Sequence, residues 1–217
     1  MLESFIPGLE YAVEGVIEHG VLRVLALFDK PDPLNGPYFE ESIYVTPSVA
    51  SVETQKRIKQ AIVDAVQALG LRHGPVHAEC RVNARGVFVL EVAARPIGGL
   101  CARALRFLAH GGVVSLEELL LRHSLGESVN RYCRESAASA VMMIPIPQAG
   151  VYRRTEQVVS ASRVPGVVDV VIQHVSVGNV LQGEVSGQTK KIDLLGKHRA
   201  ESGFVPSSKM FGKGIDF

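Results

Sequence analysis

The sequence predicts an α+β protein in which an antiparallel sheet with flanking helices is followed by a small β-rich subdomain. Three observations support this fold class. Two strand-like runs within Val76–Arg95 meet at a short segment ending in glycine, which indicates a β-hairpin. Apolar residues at helical spacing precede that hairpin. Further apolar runs separated by Pro and Gly follow Ser136, so we predict one domain over residues 1–135 and a second over residues 136–217.

The composition is ordinary for a soluble globular protein. The chain has 217 residues, of which 47% are hydrophobic and 21% charged, and its formal net charge is +1. This balance gives no electrostatic reason to expect nucleic acid or an anionic membrane as a partner. No apolar run is long enough to cross a bilayer, and the N-terminus lacks the basic start of a signal peptide. The scattered cysteines, without CxxC spacing, favour reduced thiols in the cytoplasm.

Two strands and a loop open the chain. Tyr11–Ile17 and Val21–Phe28 read as strands joined by a turn, and period-two alternation places Glu10 and Glu14 on one face of the first strand. Residues 31–47 form a loop rich in Pro and Gly that ends in a short strand over residues 42–45. Lys30 stands at the start of this loop, where it is either a solvated lysine or part of a site.

Three helices are predicted. The clearest covers Ser48–Leu69, where Ser48 or Ser51 can cap the start and Gly70 ends the helix. A second covers residues 100–108, directly after Gly98 and Gly99, whose bare N–H groups at a helix N-terminus can stabilise an anion. A Ser-Leu-Glu-Glu capping box at residue 115 opens the third, which runs to about residue 125.

The hairpin pairs two carboxylates across neighbouring strands. A three-residue loop over residues 84–86 predicts the register pairs Val82–Phe88, Cys80–Leu90, Ala78–Val92 and Glu79–Glu91. One face of the hairpin is then wholly apolar, and the other carries the two glutamates with His77, Arg81 and Arg95.

The glutamate pair has two interpretations. Like charges repel when they face each other about 5 Å apart, so a cation is expected to hold them. Mg²⁺ suits this arrangement, because it typically takes one or two carboxylates together with phosphate oxygens. The alternative is an ordinary amphipathic hairpin, whose outer face holds Glu79 and Glu91 near Arg81 and Arg95.

Beyond residue 136 the pattern predicts strands at Ala140–Ile146 and Val167–Val177. After about Asn179 the hydrophobic pattern fades, and Gly, Ser and Lys dominate to the end of the chain. The sequence therefore predicts no regular structure for this tail.

Several segments together resemble the ATP-grasp family of ATP-dependent ligases, and within it the carboxylate–amine ligases that join amino acids. The resemblance rests on E-S-F-I-P-G-L-E-Y-A-V-E at residues 3–14, on D-K at residues 29–30, and on H-A-E-C-R-V and F-V-L-E-V-A-A-R-P-I-G-G within residues 77–99. It implies the C-terminal half of an ATP-grasp fold. It also implies that ATP, Mg²⁺ (or Mn²⁺), a small carboxylate and an amine, such as amino acids, are bound.

The resemblance implies a role for each matching residue. In the family, the segment matching Glu3, Ser4, Phe5 and Ile6 lies against adenine, and the residue at Glu10 accepts hydrogen bonds from the ribose. The lysine at Lys30 lies near the phosphates or the acyl group. The carboxylates at Glu79 and Glu91 hold the metal ion, while Arg95, Gly98 and Gly99 meet the substrate carboxylate or the acyl phosphate. His77 stands where some relatives carry a catalytic arginine.

The implied reaction fits the residues. A carboxylate is a poor electrophile, so ATP converts it to an acyl phosphate, which an amine then attacks. Metal ions and fixed cations lower the barrier by stabilising the transferring phosphoryl group, and no protein nucleophile is needed.

Two departures from the family pattern accompany the resemblance. Ala93 stands where many members have an asparagine ligand, and the chain starts at the adenine hinge, so we expect the upstream domain and its glycine-rich lid to be missing. Three hypotheses follow: a ligase; a non-catalytic fragment that folds alone or pairs with a separate N-terminal chain; and an unrelated α+β binding module. The expected partners include such an N-terminal chain or further copies of the same chain in a homo-oligomer.

Overall fold

The computed structural model describes residues 3–33, 42–109, 111–144, 150–151, 154–172, 180–181, 192–198 and 215–216. The strands are β1 (Leu9–Glu18), β2 (Val21–Lys30), β3 (Ile43–Thr46), β4 (Gly74–Asn83), β5 (Gly86–Ala93), β6 (Arg106–Ala109), β7 (Gly112–Ser115), β8 (Cys133–Arg134), β9 (Ala138–Ile144), β10 (Gly150–Val151), β11 (Arg154–Thr155), β12 (Val167–Ile172), β13 (Val180–Leu181), β14 (Ile192–His198) and β15 (Ile215–Asp216). The helices are α1 (Val52–Ala68), α2 (Gly99–Ala104), α3 (Leu116–Ser124) and α4 (Val158–Ser162), with a 3₁₀ turn at Val129–Arg131.

Eight strands form one antiparallel sheet, in the order β12-β14-β9-β3-β2-β1-β4-β5. The prediction of an antiparallel sheet with flanking helices is confirmed. The sheet includes strands from both predicted domains, since β3 pairs with β9. The division near residue 135 stays a prediction.

Helices cover both faces of the central strands. On one face, α1 buries Ile58, Ile62 and Val66 against the side chains of β1 and β4 that point to that side. On the other face, α2 and α3 bury residues such as Leu100 and Leu119 against the opposite side of β1 and β2. Both faces of β1 are therefore covered, and the side chains of Glu10 and Glu14 on this strand lie in a largely dehydrated environment.

The helix boundaries follow local signals. The Ser51 side chain accepts a hydrogen bond of 3.1 Å from the Thr54 N–H, so Ser51 is the N-cap of α1. Gly70 follows the helix with a φ of +70°, a conformation that glycine adopts readily. At α3 the Ser115 side chain accepts a hydrogen bond from the Glu118 N–H, as the capping box predicted.

The predicted helix over residues 100–108 is wrong in its second half. Helix α2 ends at Ala104, and β6 begins at Arg106. From there, burial alternates as in a strand: Phe107 is buried, whereas Leu108 is exposed. The apolar residues of this segment fit the helical period as well as the strand period. The pairing of β6 with β7 and β8 decides in favour of the strand.

The expectation that the tail lacks regular structure is wrong for residues 192–198. Strand β14 lies between β9 and β12 and pairs with both. Hydrogen bonds to both neighbours therefore satisfy its backbone groups. The strand forms without a strong alternation of apolar and polar side chains, which is the signal that a sequence-based prediction would need. The ends of two predicted strands, residues 145–146 and 173–177, lie outside the described residues. None of the described helices is long and apolar enough to span a membrane.

Candidate active site

The hairpin β4–β5 places Glu79 directly opposite Glu91, as predicted. The turn and the pairing that produce this register differ from the prediction. The turn contains two residues between Asn83 and Gly86, and a bulge between Glu79 and Cys80 absorbs one extra residue of β5. The two departures cancel at the glutamates.

Between the turn and the bulge, the predicted pairs are wrong. Val82 faces Val87 instead of Phe88, and Cys80 faces Val89 instead of Leu90. Leu90 is accordingly 43% exposed rather than buried. The hydrophobic pattern did not reveal the bulge, because the apolar run Val87–Leu90 satisfies either register.

A buried network of charges connects β1, β2 and β4. The Lys30 ammonium lies 2.6 Å from Glu10 Oε1 and 2.8 Å from Glu79 Oε1. Arg81 Nε donates to Glu10 Oε2 at 2.8 Å, so the Glu10 carboxylate bridges two cations. The Tyr44 hydroxyl also donates to Glu79 Oε1, at 3.2 Å. Such a network is stable only because each buried charge has an opposite partner.

A second part of the network surrounds Glu14, whose side chain is 0% exposed. Glu14 Oε2 accepts a hydrogen bond of 2.9 Å from the Ile97 N–H and lies 3.5 Å from His77 Nδ1. His77 Nε2 in turn lies 3.5 Å from Glu79 Oε1. These separations are long for hydrogen bonds, so His77 is held between the two carboxylates mainly by charge. Glu14 thus links the site to the segment after Arg95.

The network shifts the pKa values of its members. Burial lowers the pKa of His77, but the contacts with Glu14 and Glu79 outweigh it and raise the pKa to about 9. Burial raises the pKa of Glu79, but His77 and Lys30 outweigh it and lower the pKa to about 2. Burial also raises the pKa of Glu14, partly offset by His77 and the Ile97 N–H. At neutral pH, Glu79 is therefore a carboxylate facing an imidazolium.

The network opens to solvent at the edge strand β5. The Glu91 and Arg95 side chains are 58% and 57% exposed, and Arg95 Nη2 lies 3.9 Å from Glu91 Oε1. Gly98 and Gly99 follow, both exposed, at the start of the short helix α2. The two paired glutamates therefore lie at the boundary between the buried network and the solvent.

The segment before β1 is tied to the network by Arg81. Arg81 Nη1 donates to the Ile6 carbonyl oxygen at 2.8 Å, and its guanidinium carbon lies 5.1 Å from the centre of the Phe5 ring. Glu3 and Ser4 are exposed. The segment predicted to contact adenine thus lies at the same end of the sheet as Glu10.

Glu79 and Glu91 fit the chemistry of a Mg²⁺ site shared with phosphates. They supply hard oxygen ligands from neighbouring strands at the solvent edge of the network, and Mg²⁺ takes its remaining ligands from phosphates and water. Among the described residues, no three His, Cys, Asp or Glu side chains are arranged as a complete metal site. A metal at this position would need further oxygen ligands beyond those of Glu79 and Glu91.

The structure brings six of the predicted site residues together and adds three. Glu10, Lys30, His77 and Glu79 form direct contacts, and Glu91 and Arg95 lie beside them. The sequence analysis assigned no role to Glu14, Arg81 or Tyr44. Period-two alternation could have indicated Glu14 and Arg81, because it places them on the strand face that carries Glu10 and Glu79. No sequence signal indicated Tyr44.

The match to a family model agrees with this geometry. Residues 1–104 match the family model of the ATP-grasp domain. The predicted resemblance is confirmed. No curated protein sequence matches the chain.

The solved structures that share this fold include the following three. An L-amino acid ligase from Bacillus licheniformis is 26% identical with a TM-score of 0.78, over 90% of this chain and 48% of its own. N5-carboxyaminoimidazole ribonucleotide synthetase from Thermus thermophilus is 17% identical with a TM-score of 0.61, over 91% and 48%. A biotin carboxylase domain from Hydrogenobacter thermophilus 2-oxoglutarate carboxylase, bound to MgADP and bicarbonate, is 16% identical with a TM-score of 0.55, over 88% and 41%. The chain thus spans about half the length of these structures.

Proposed function

We propose that this chain binds Mg²⁺ (or Mn²⁺) with ATP as part of an ATP-dependent carboxylate–amine ligase. The proposed reaction converts a small carboxylate to an acyl phosphate, which an amine attacks, with release of ADP and phosphate. The observation that carries the proposal is the pairing of Glu79 with Glu91 on the sheet face that also holds Glu10 and Lys30. The likeness to an L-amino acid ligase supports amino acids as the substrate class.

The cations have distinct roles in this proposal. Lys30 and His77 both contact Glu79, so they keep its carboxylate ionised and oriented toward the metal position. Bound Mg²⁺ would draw charge from the phosphate oxygens and so favour phosphoryl transfer. Arg95 is exposed beside Glu91 and can reach an anionic group of a substrate in solution. No described side chain has to act as a nucleophile.

Glu10 has a structural and a binding role. Both of its oxygens accept from cations, Oε1 from Lys30 and Oε2 from Arg81. Each carboxylate oxygen can accept more than one hydrogen bond, so capacity remains for ribose hydroxyls. Because Arg81 also binds the Ile6 carbonyl, Glu10 indirectly holds the segment proposed to contact adenine.

A second candidate is nucleotide binding without turnover. The observations that support binding concern the nucleotide and the metal, and the chain spans about half the length of the solved structures that it matches. In this case the chain would bind MgATP without turnover, alone or together with a separate N-terminal chain. Amino-acid-stimulated release of phosphate distinguishes the ligase from this alternative.

The decisive experiment is calorimetric titration of a non-hydrolysable ATP analogue in the presence of Mg²⁺. Glu79→Gln and Glu91→Gln keep the side-chain volume but remove the charge, so each is expected to weaken Mg²⁺-dependent binding by about tenfold or more. Glu53→Gln is a matched control, because Glu53 is exposed on α1, which covers the other face of the sheet.

The proposal is contradicted if the analogue binds the unaltered chain equally well with Mg²⁺ and with EDTA. It is also contradicted if both site variants bind as tightly as the Glu53 control. A binding defect accompanied by a loss of secondary structure in circular dichroism would indicate misfolding. Glu91→Gln is expected to fold normally, because the Glu91 side chain is exposed, so its binding defect can be interpreted directly.

A further inference from the structure

Glu14 is a buried carboxylate at a position on β1 where an apolar side chain would pack equally well. Its neighbours on the same face of the strand, Ala12 and Val16, belong to the apolar core that α2 and α3 form with β1 and β2. Burial removes the hydration of a carboxylate, and replacement of a buried ion pair by apolar residues is often neutral or stabilising. Stability therefore gives no reason for a carboxylate here, and residues that break a packing rule commonly serve a functional site.

The Glu14 carboxylate uses only part of its hydrogen-bonding capacity. Oε2 accepts a hydrogen bond of 2.9 Å from the Ile97 N–H and lies 3.5 Å from His77 Nδ1. Oε1 is buried and has no hydrogen-bond partner among the described residues. The Ile97 N–H is thus the closest donor to this carboxylate, and the bond between them has good length.

The segment that Glu14 contacts connects β5 to α2. In the described part of the chain, no backbone-to-backbone hydrogen bond holds Arg95, Pro96 or Ile97 after β5 ends at Ala93. The Ile97 side chain is buried in the apolar core, which fixes where the segment lies. Burial of an apolar side chain is non-directional, so the hydrogen bond to Glu14 sets the direction of the Pro96–Ile97 peptide.

The direction of this peptide controls the groups on either side of it. Arg95 precedes it, and Arg95 Nη1 donates to the Pro96 carbonyl oxygen at 3.1 Å. Gly98 and Gly99 follow it, and both are exposed. Pro96 has a fixed φ, so the segment has few ways to absorb a rotation of the peptide. Loss of the hydrogen bond would therefore move Arg95 and the glycine N–H groups from their positions near Glu91.

We infer that Glu14 is a positioning residue, which holds the Arg95–Gly99 segment in the orientation that receives an acyl phosphate or a substrate carboxylate. The inference rests on the proposed function and extends it to a residue that acts through the Ile97 backbone. His77 lies between Glu14 and Glu79, so the segment and the proposed metal ligand belong to one chain of contacts.

The test is calorimetric titration of the full chain, in the presence of MgADP, with acetonylphosphonate. In this probe a methylene group replaces the bridging oxygen of acetyl phosphate, so the probe resembles an acyl phosphate but does not hydrolyse. Glu14→Met leaves the buried Ile97 N–H without an acceptor and should weaken binding of the probe by about tenfold or more. Glu14→Gln retains an acceptor and should bind the probe within about threefold of the unaltered chain. MgADP should bind all three chains equally.

Glu18→Met is the matched control. It makes the same substitution further along β1, where the carboxylate accepts a hydrogen bond of 3.0 Å from the Ser128 hydroxyl. It should leave binding of both the probe and MgADP unchanged. Hydrogen exchange of the unaltered chain gives a measurement that needs no variant: the Ile97 amide should exchange about tenfold or more slowly than the exposed Gly99 amide.

Three results would overturn the inference while MgADP binds normally. They are no binding of the probe to the unaltered chain, full probe affinity in Glu14→Met, and equally weak probe binding by Glu14→Gln and Glu14→Met. Parallel losses of probe and MgADP binding in a folded Glu14→Met chain would also overturn it, since they indicate a general structural defect.

A fast-exchanging Ile97 amide would contradict the inference even if Glu14→Met does not fold, which circular dichroism would reveal. Failure of MgADP to bind the unaltered chain would instead contradict the proposed function, on which the role of Glu14 rests.

Discussion

His77 shows how a single side chain can govern the charge balance of a buried site. It lies between Glu14 and Glu79, each 3.5 Å away, on the strand that carries the proposed metal ligand. Its positive charge offsets two carboxylates that are otherwise close together in a dehydrated environment. Removal of this charge leaves the buried Glu14 carboxylate to depend on the Ile97 N–H, which donates to Oε2.

The raised pKa of His77 predicts a loss of stability in alkali. The folded-state pKa of about 9 exceeds the ordinary value of 6.5, so the contribution is complete below pH 6.5 and disappears as the pH rises through 9. The shift corresponds to about 3 kcal/mol. Urea unfolding between pH 6 and pH 10 should show this loss in the unaltered chain and a flatter profile in His77→Gln.

His73→Gln is the matched control, because His73 lies outside the charge network. Its profile should run parallel to that of the unaltered chain. Parallel profiles for His77→Gln as well would contradict the assigned ion pairs.

At the scale of elements, the close approach of the first segment to β4 depends on one glycine. Gly8 has a φ of +142°, and a Cβ atom there would lie 2.4 Å from the Val82 carbonyl oxygen. Backbone cannot yield as a flexible side chain can, so this position excludes every larger residue. The segment carrying Phe5 and Ile6 is thereby held against the strand that contains Arg81.

Gly8→Ala is expected to destabilise the fold by about 2–4 kcal/mol, from backbone strain and from the collision with Val82. It should also weaken binding of the ATP analogue, since the proposed adenine contact moves. Gly86→Ala is the matched control: Gly86 has a φ of +154°, but a Cβ there meets nothing within 4 Å. Unfolding in urea and calorimetry give the two readouts. Equal effects of the two substitutions would contradict the role of the collision.

At the scale of the whole molecule, β14 completes the large sheet. It pairs with β9 on one side and with β12 on the other, so among the described strands β12 joins the sheet through β14 alone. A chain without β14 would expose two strand edges, which favours aggregation as well as loss of stability.

Truncation tests this arrangement. A chain that ends at residue 191 should lose stability and aggregate at lower temperature than a chain that ends at residue 198. The longer variant retains β14 and loses only the two-residue pairing of β11 with β15 among the described strands. Differential scanning calorimetry and light scattering measure the two effects. Similar melting behaviour of the two chains would contradict the central position of β14.

The predicted pairing of Glu79 with Glu91 is correct because the shorter turn and the bulge cancel. Local patterns were sufficient for the first strands and for α1, whose N-cap they narrowed to Ser48 or Ser51. Each depends on alternation, helical spacing or capping within a few neighbouring residues. The same patterns also carried the resemblance to ATP-grasp proteins, because its motifs are short and ordered along the chain.

Other features depend on which strands become neighbours, and this information is spread over the whole chain. The contacts of Glu10 with Arg81, of Tyr44 with Glu79 and of Glu14 with Ile97 join residues 35 to 83 positions apart. The bulge at Leu90 and the β6 strand were likewise selected by pairing partners rather than by local preference. Periodicity tells which face of a strand a side chain occupies, whereas strand order and packing decide what it meets there.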